Sequence, residues 1–122
     1  MAIPINSNVF KTGTKATTAA TADQSILSYT VSADKTFFLC GFQLGVKLTT
    51  FAATATDFGS VSIRQNGTAL NTYQMVGPGT PAPVFRETEG LPFQAGDVIT
   101  VVCTPSGTTP FTWEANIIGY EA

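Results

Sequence analysis

The stretch GSVSIRQNGTALNTYQMV, residues 59–76, decides the fold class. Asn66-Gly67 stands at its centre. Both residues can take the positive φ that a type I′ turn requires, and that turn matches the twist of two antiparallel strands. Before the turn, Val61 and Ile63 occupy alternate positions. A period of two places them on one face of a strand, pointing inward. The stretch therefore predicts a β-hairpin.

The same pattern continues on both sides. In QSILSYTVS, residues 24–32, Leu27, Tyr29 and Val31 fall on one face. In TFFLCGFQLGVKLT, residues 36–49, the alternation puts Phe38, Cys40, Phe42, Leu44 and Val46 together. GPGTPAP, residues 77–83, reads as a loop, because its prolines cannot donate to a ladder. PVFRETEG, residues 83–90, reads as a short strand near an edge. GDVITVVCT, residues 96–104, aligns Ile99, Val101 and Cys103. PSGTTP, residues 105–110, is a turn. The last segment, FTWEANIIGYEA, aligns Phe111, Trp113, Ala115 and Ile117 on one face. Its other face carries Glu114, Asn116, Ile118 and Tyr120. Seven to eight strands with turns at these intervals, and no helical periodicity, predict an antiparallel β-sandwich or barrel.

Residues 1–23 differ in kind. KTGTKATTAATADQ, residues 11–24, is low in complexity and dominated by Thr and Ala. Pro4, Gly13 and the threonines oppose helix. An extended arm is expected over 1–23, with the sandwich domain over 24–122. The apolar residues Ile3, Ile5, Val9 and Phe10 in that arm are candidates for contact with a neighbouring subunit.

Composition narrows function. The 122 residues suit one domain. Charged residues make up 11% of the chain, under half the usual ~25%. Net charge is −2, and the six Lys and Arg are scattered. A phosphate backbone needs clustered cations, so nucleic acid is not an expected partner. There is no long apolar run to span a membrane. The N-terminus shows no basic segment followed by an apolar stretch, so no secretion signal is expected. The chain contains no histidine. It thus lacks the commonest general base and the commonest metal ligand. Cys40 and Cys103 belong to no C-x-x-C pattern and sit in apolar strand sequence, so free buried thiols, acting as small hydrophobes, are expected in preference to a disulfide between them.

The carboxylates are weighed individually. Glu87 and Glu89 share a strand face and form the best candidate pair for acid–base hydrolysis. They adjoin a turn and lack flanking Trp and Asn, so no enzyme is expected. No calcium-binding loop and no cofactor-binding motif is present. Asp97 follows Gly96 and precedes the most β-prone segment of the chain. It is expected to fix a turn through its own backbone and to start the strand in register, rather than to hold a ligand. For sugar binding, Tyr73 and Tyr120 are the exposed aromatic candidates.

The strand TFFLCGFQLGV, the turn and strand LPFQAGDVITVVC and the closing strand WEANIIGYEA together resemble a small jelly-roll domain. Short jelly rolls with a Thr/Ala-rich arm and few charges look like the decoration or cement proteins of tailed-bacteriophage heads, and like the trimeric heads of tumour-necrosis-factor-like assemblies. The first resemblance implies a structural protein on the outer capsid surface of a virion, made in the host cytoplasm. It implies a homo-trimer whose partner is the major capsid protein, with no cofactor and no small-molecule substrate. The arm residues Ile3, Ile5, Val9 and Phe10 would then face the capsid or span subunits. Tyr73, Met75, Ile118 and Tyr120, taken as outward positions near strand ends, would form the trimer interface. The alternative is a carbohydrate-binding or receptor-binding β-sandwich module.

Overall fold

A computed structural model describes residues 7–17, 22–48, 59–75, 84–106 and 111–122. Eight strands run in order: β1 (Ser7–Thr17), β2 (Gln24–Thr30), β3 (Phe37–Leu48), β4 (Gly59–Gln65), β5 (Thr68–Met75), β6 (Val84–Phe93), β7 (Val98–Pro105) and β8 (Phe111–Glu121). They form two four-stranded antiparallel sheets, ordered β1-β8-β3-β6 and β2-β7-β4-β5. Strand β1 pairs with β8, β2 with β7, β3 with β6 and β4 with β5. The chain is thus one long antiparallel ribbon, folded over so that β3–β8 and β4–β7 contacts complete the sheets. This is the jelly-roll arrangement.

The tip of that ribbon is the Asn66-Gly67 turn. Asn66 has φ 50° and Gly67 has φ 86°, as a type I′ turn requires. Val61 and Ile63 point inward as expected. So do Ile99, Val101 and Cys103 of β7, and Phe111, Trp113, Ala115 and Ile117 of β8. Trp113, Phe37, Phe111, Leu39 and Leu44 are the largest fully buried side chains. Each such burial stabilises the fold by about 1.5–3 kcal/mol.

Two expectations are corrected. Residues 7–17 do not form a free arm; they are β1, paired with β8 from Ser7↔Glu121 to Thr17↔Phe111. Thr is β-branched and suits a pleated, half-buried surface, so a Thr-rich segment needs no apolar run to complete a sheet. Val9 packs against the core, and Thr17 is buried with its hydroxyl accepting the Trp113 indole N–H at 3.0 Å. Residues 1–6 and 18–21, with Ile3 and Ile5, lie outside the described residues.

The second correction is the parity of β3. Phe37 and Leu39, not Phe38 and Cys40, face the core, followed by Phe42 and Leu44. A β-bulge between Leu39 and Gly41 inserts one residue and switches the alternation. Phe38 and Cys40 thereby move outward and stand half-buried.

Cys40 on β3 and Cys103 on β7 lie in opposite sheets, and both thiols are free. Cys103 faces the core, where burial pushes its thiol from 9.0 up to about 11. Cys40 donates a weak bond to the Phe38 carbonyl at 3.7 Å.

Candidate functional site

The outer face of the β1-β8-β3-β6 sheet is built by strand register. Outward residues of β8 are Thr112, Glu114, Asn116, Ile118 and Tyr120, every second position from the turn. Register sets Phe10 opposite Ile118, and Asn8 and Phe38 opposite Tyr120. At this end the face is apolar. Phe10 is 62% exposed and Ile118 49%. The Phe38 and Tyr120 rings stack with centroids 4.9 Å apart and planes 20° from parallel. Cross-strand apolar pairs of this kind are the unit that stabilises a sheet, yet here they stabilise a surface facing solvent.

The other end of the same face is polar. Thr12 and Thr14 of β1, Gln43 and Gly45 of β3, and Glu114 and Asn116 of β8 line a depression of about 540 Å³. Asn116 Nδ2 donates to Gln43 Oε1 at 3.3 Å. Lys47 Nζ pairs with Glu114 Oε1 at 3.2 Å.

The structure therefore gathers three of the expected contact residues, Phe10, Ile118 and Tyr120, into one patch. It separates the others. Val9 is on the inner side of β1. Tyr73 lies in the other sheet, opposite inward-facing Val61, and its ring is 5.9 Å from that of Phe42. Tyr73 is thus a core-edge residue whose hydroxyl accepts from Asn71 Nδ2 at 2.9 Å. It was expected outward, but β4 inherits its inward parity from Val61 and imposes it on β5. Met75 pairs through its backbone with Gly59, and its side chain lies outside the described residues, as do those of Glu87 and Glu89. Tyr73 and Tyr120 share no aromatic platform. Phe38 belongs to the patch and was missed. The bulge that exposes it is unmarked in sequence, although the adjacent Phe37-Phe38 pair already required one of the two rings to face outward.

Asp97 acts on structure. It closes the turn after β6, accepting Gln94 N–H at 2.9 Å on Oδ2. It also accepts from Gln65 Nε2 and Asn66 Nδ2, each at 3.0 Å. Asn66 returns the contact, its Oδ1 accepting Val98 N–H at 2.8 Å. Two turns are thereby clamped together. Hydrogen bonds from Asn66, then Gln94, then Gln65 hold the Asp97 carboxyl below its ordinary value of 3.8.

The remaining charges also build structure. Asp23 accepts from Thr104 Oγ1 at 2.6 Å and from Arg64 at 2.9 Å, and these bonds lower its pKa in that order. Glu121, 7% exposed, accepts from the Tyr29 hydroxyl and from Ser32 N–H at 3.1 Å and Oγ at 3.0 Å. Lys11 stands 5.7 Å from the Tyr29 ring centroid, within cation–π range. Among the described residues no cluster of three His, Cys, Asp or Glu could hold a metal ion. No helix among them is long and apolar enough to cross a membrane.

No protein-family model matches the sequence, and no curated protein matches it. Among solved structures, the chain is similar to one from Bacillus endospore appendages, which form a novel family of disulfide-linked pili. The two are 17% identical, with 98% of this chain and 92% of that one covered, at a TM-score of 0.48.

Proposed function

We propose that this jelly roll is a structural subunit of a larger protein assembly and docks through the apolar end of its β1-β8-β3-β6 sheet. The observation that carries this is the patch itself. Phe10 and Ile118 are paired and exposed beside the stacked Phe38 and Tyr120 rings. Burying such a patch against a partner removes apolar surface from water at about 25 cal/mol per Å². The low charge of the chain, 11%, keeps the desolvation cost of close contact small. Repetition of a modest contact by symmetry raises avidity without one strong site.

The assembly we propose is the head of a tailed bacteriophage, with this protein as a trimeric decoration on the outer surface, bridging major capsid subunits. It has a mechanical role and no catalytic one. Light scattering behind a sizing column tests the trimer, and sedimentation with phage heads tests the docking. The expected mass is three chains, falling to one chain in Phe10→Ser/Ile118→Ser, and that variant should no longer sediment with heads. A single-chain mass for the unmodified protein, together with no co-sedimentation, would sink the proposal.

A further inference from the structure

A glycine in a strand needs a reason, because it weakens the strand and packs nothing. Gly59 and Gly90 have such reasons, since φ is 116° at the first and 83° at the second. Gly45 has neither a left-handed φ nor a close neighbour. A Cβ added there would meet nothing within 4 Å. The backbone therefore does not require glycine at this position. What Gly45 does produce is the floor of the polar depression on the outer face of β1, β8 and β3.

The depression mixes apolar and polar lining: Leu44 and Ala115 line it together with Gly45, and five polar side chains surround them. Its walls present the hydroxyls of Thr12 and Thr14, the amides of Gln43 and Asn116, and the carboxylate of Glu114. Each hydroxyl and amide can both donate and accept, and the carboxylate accepts. The Gln43–Asn116 bond, at 3.3 Å, and the Lys47–Glu114 pair, at 3.2 Å, hold the walls in place. One carboxylate is too few for a divalent cation. The lysine is already engaged by Glu114, so the site offers no net cation to an anionic ligand. The volume, about 540 Å³, lies within the range of small-molecule sites.

We infer that this recess binds the ring of a neutral saccharide, whose vicinal hydroxyls match the amide, hydroxyl and carboxylate walls while the ring plane lies over Gly45. The site is independent of the apolar patch. It uses none of Phe10, Ile118, Phe38 or Tyr120, so docking and sugar binding fail separately.

The test is an array of neutral and acidic glycans probed with the labelled full chain, followed by saturation-transfer NMR on the glycans retained. Neutral glycans should be retained. Gly45→Val puts a branched side chain on the floor of the recess, where its Cβ has no neighbour within 4 Å, and Asn116→Ala removes one wall. Each should weaken binding at least tenfold while the melting temperature holds. Phe10→Ser/Ile118→Ser should bind like the unmodified protein. Retention of no neutral glycan, retention of acidic glycans alone, or equal binding by the unmodified protein and Gly45→Val would overturn the inference.

Discussion

At the scale of single residues, Asp97 shows how a carboxylate in a suggestive position serves the fold. Its oxygens collect donors from three residues, one on its own turn and two on the hairpin tip. These bonds favour the charged form, so its folded pKa lies below 3.8. The contribution is therefore present above the unfolded pKa and is lost as pH falls through the folded value. Asp97→Asn places an amide against two amide donors, and the variant should melt at a lower temperature than the unmodified protein at pH 7. The gap between the two melting curves should begin to narrow as pH falls below the unfolded value of about 4, and it should close only below the folded value, where the unmodified side chain is also neutral. A gap that stays constant from pH 7 to pH 3 would show that the charge of Asp97 is irrelevant to the clamp.

At the scale of elements, β1 and β3 carry the most information. Strand β1 closes the sandwich by bringing Gly13 against β2. A Cβ on Gly13 would overlap the Ile26 carbonyl oxygen and come within 2.7 Å of Leu27 Cβ. Gly13→Ala should therefore cost about 1–3 kcal/mol, the usual range for overpacking a tight contact. Gly45→Ala, on the open outer face, should leave the urea midpoint unchanged or raise it slightly. Equal midpoints for the two alanine variants would mean that β1 does not seat on β2 as described. The same strands mark what sequence could convey. The strands β2, β4, β7 and β8, the Asn66-Gly67 turn and the inward set on β8 were legible, because period-two alternation and a two-residue turn are local signals. Strand β1 was not legible, because its partner β8 lies at the far end of the chain and its own residues carry no apolar stripe. The outward positions of Phe38 and Cys40 were hidden for a different reason. A bulge changes parity without a composition signal, so the aromatic half of the candidate face was only partly visible in advance. Phe10, Ile118 and Tyr120 were legible as residues, but their meeting in one patch depends on the β1–β8 and β3–β8 registers.

At the scale of the whole molecule, the ribbon pairing sets an order of assembly. The β4–β5 pair encloses a two-residue turn, whereas β1–β8 joins the two ends of the described chain. Closing the outer pair first would cost far more chain entropy than zipping outward from the tip, because each inner pair shortens the loop left to close. Folding should therefore nucleate at Asn66-Gly67 and finish at β1. Gly67→Ala probes the tip cleanly. Its φ is 86°, which strains an alanine, and its Cβ would meet no neighbour, so the cost is local. That cost is about 1 kcal/mol. A change of this size within the nucleus should slow folding about fivefold and leave unfolding nearly unchanged. Thr17→Val probes the far end by removing the acceptor for the buried Trp113 N–H, at about 1–3 kcal/mol. Since that contact forms late, the variant should unfold faster and fold at the original rate. Stopped-flow chevrons for the two variants decide the matter. If Thr17→Val slowed folding while Gly67→Ala only sped unfolding, the long-range β1–β8 pair would precede the hairpin. The ribbon would then describe the finished fold and not its route.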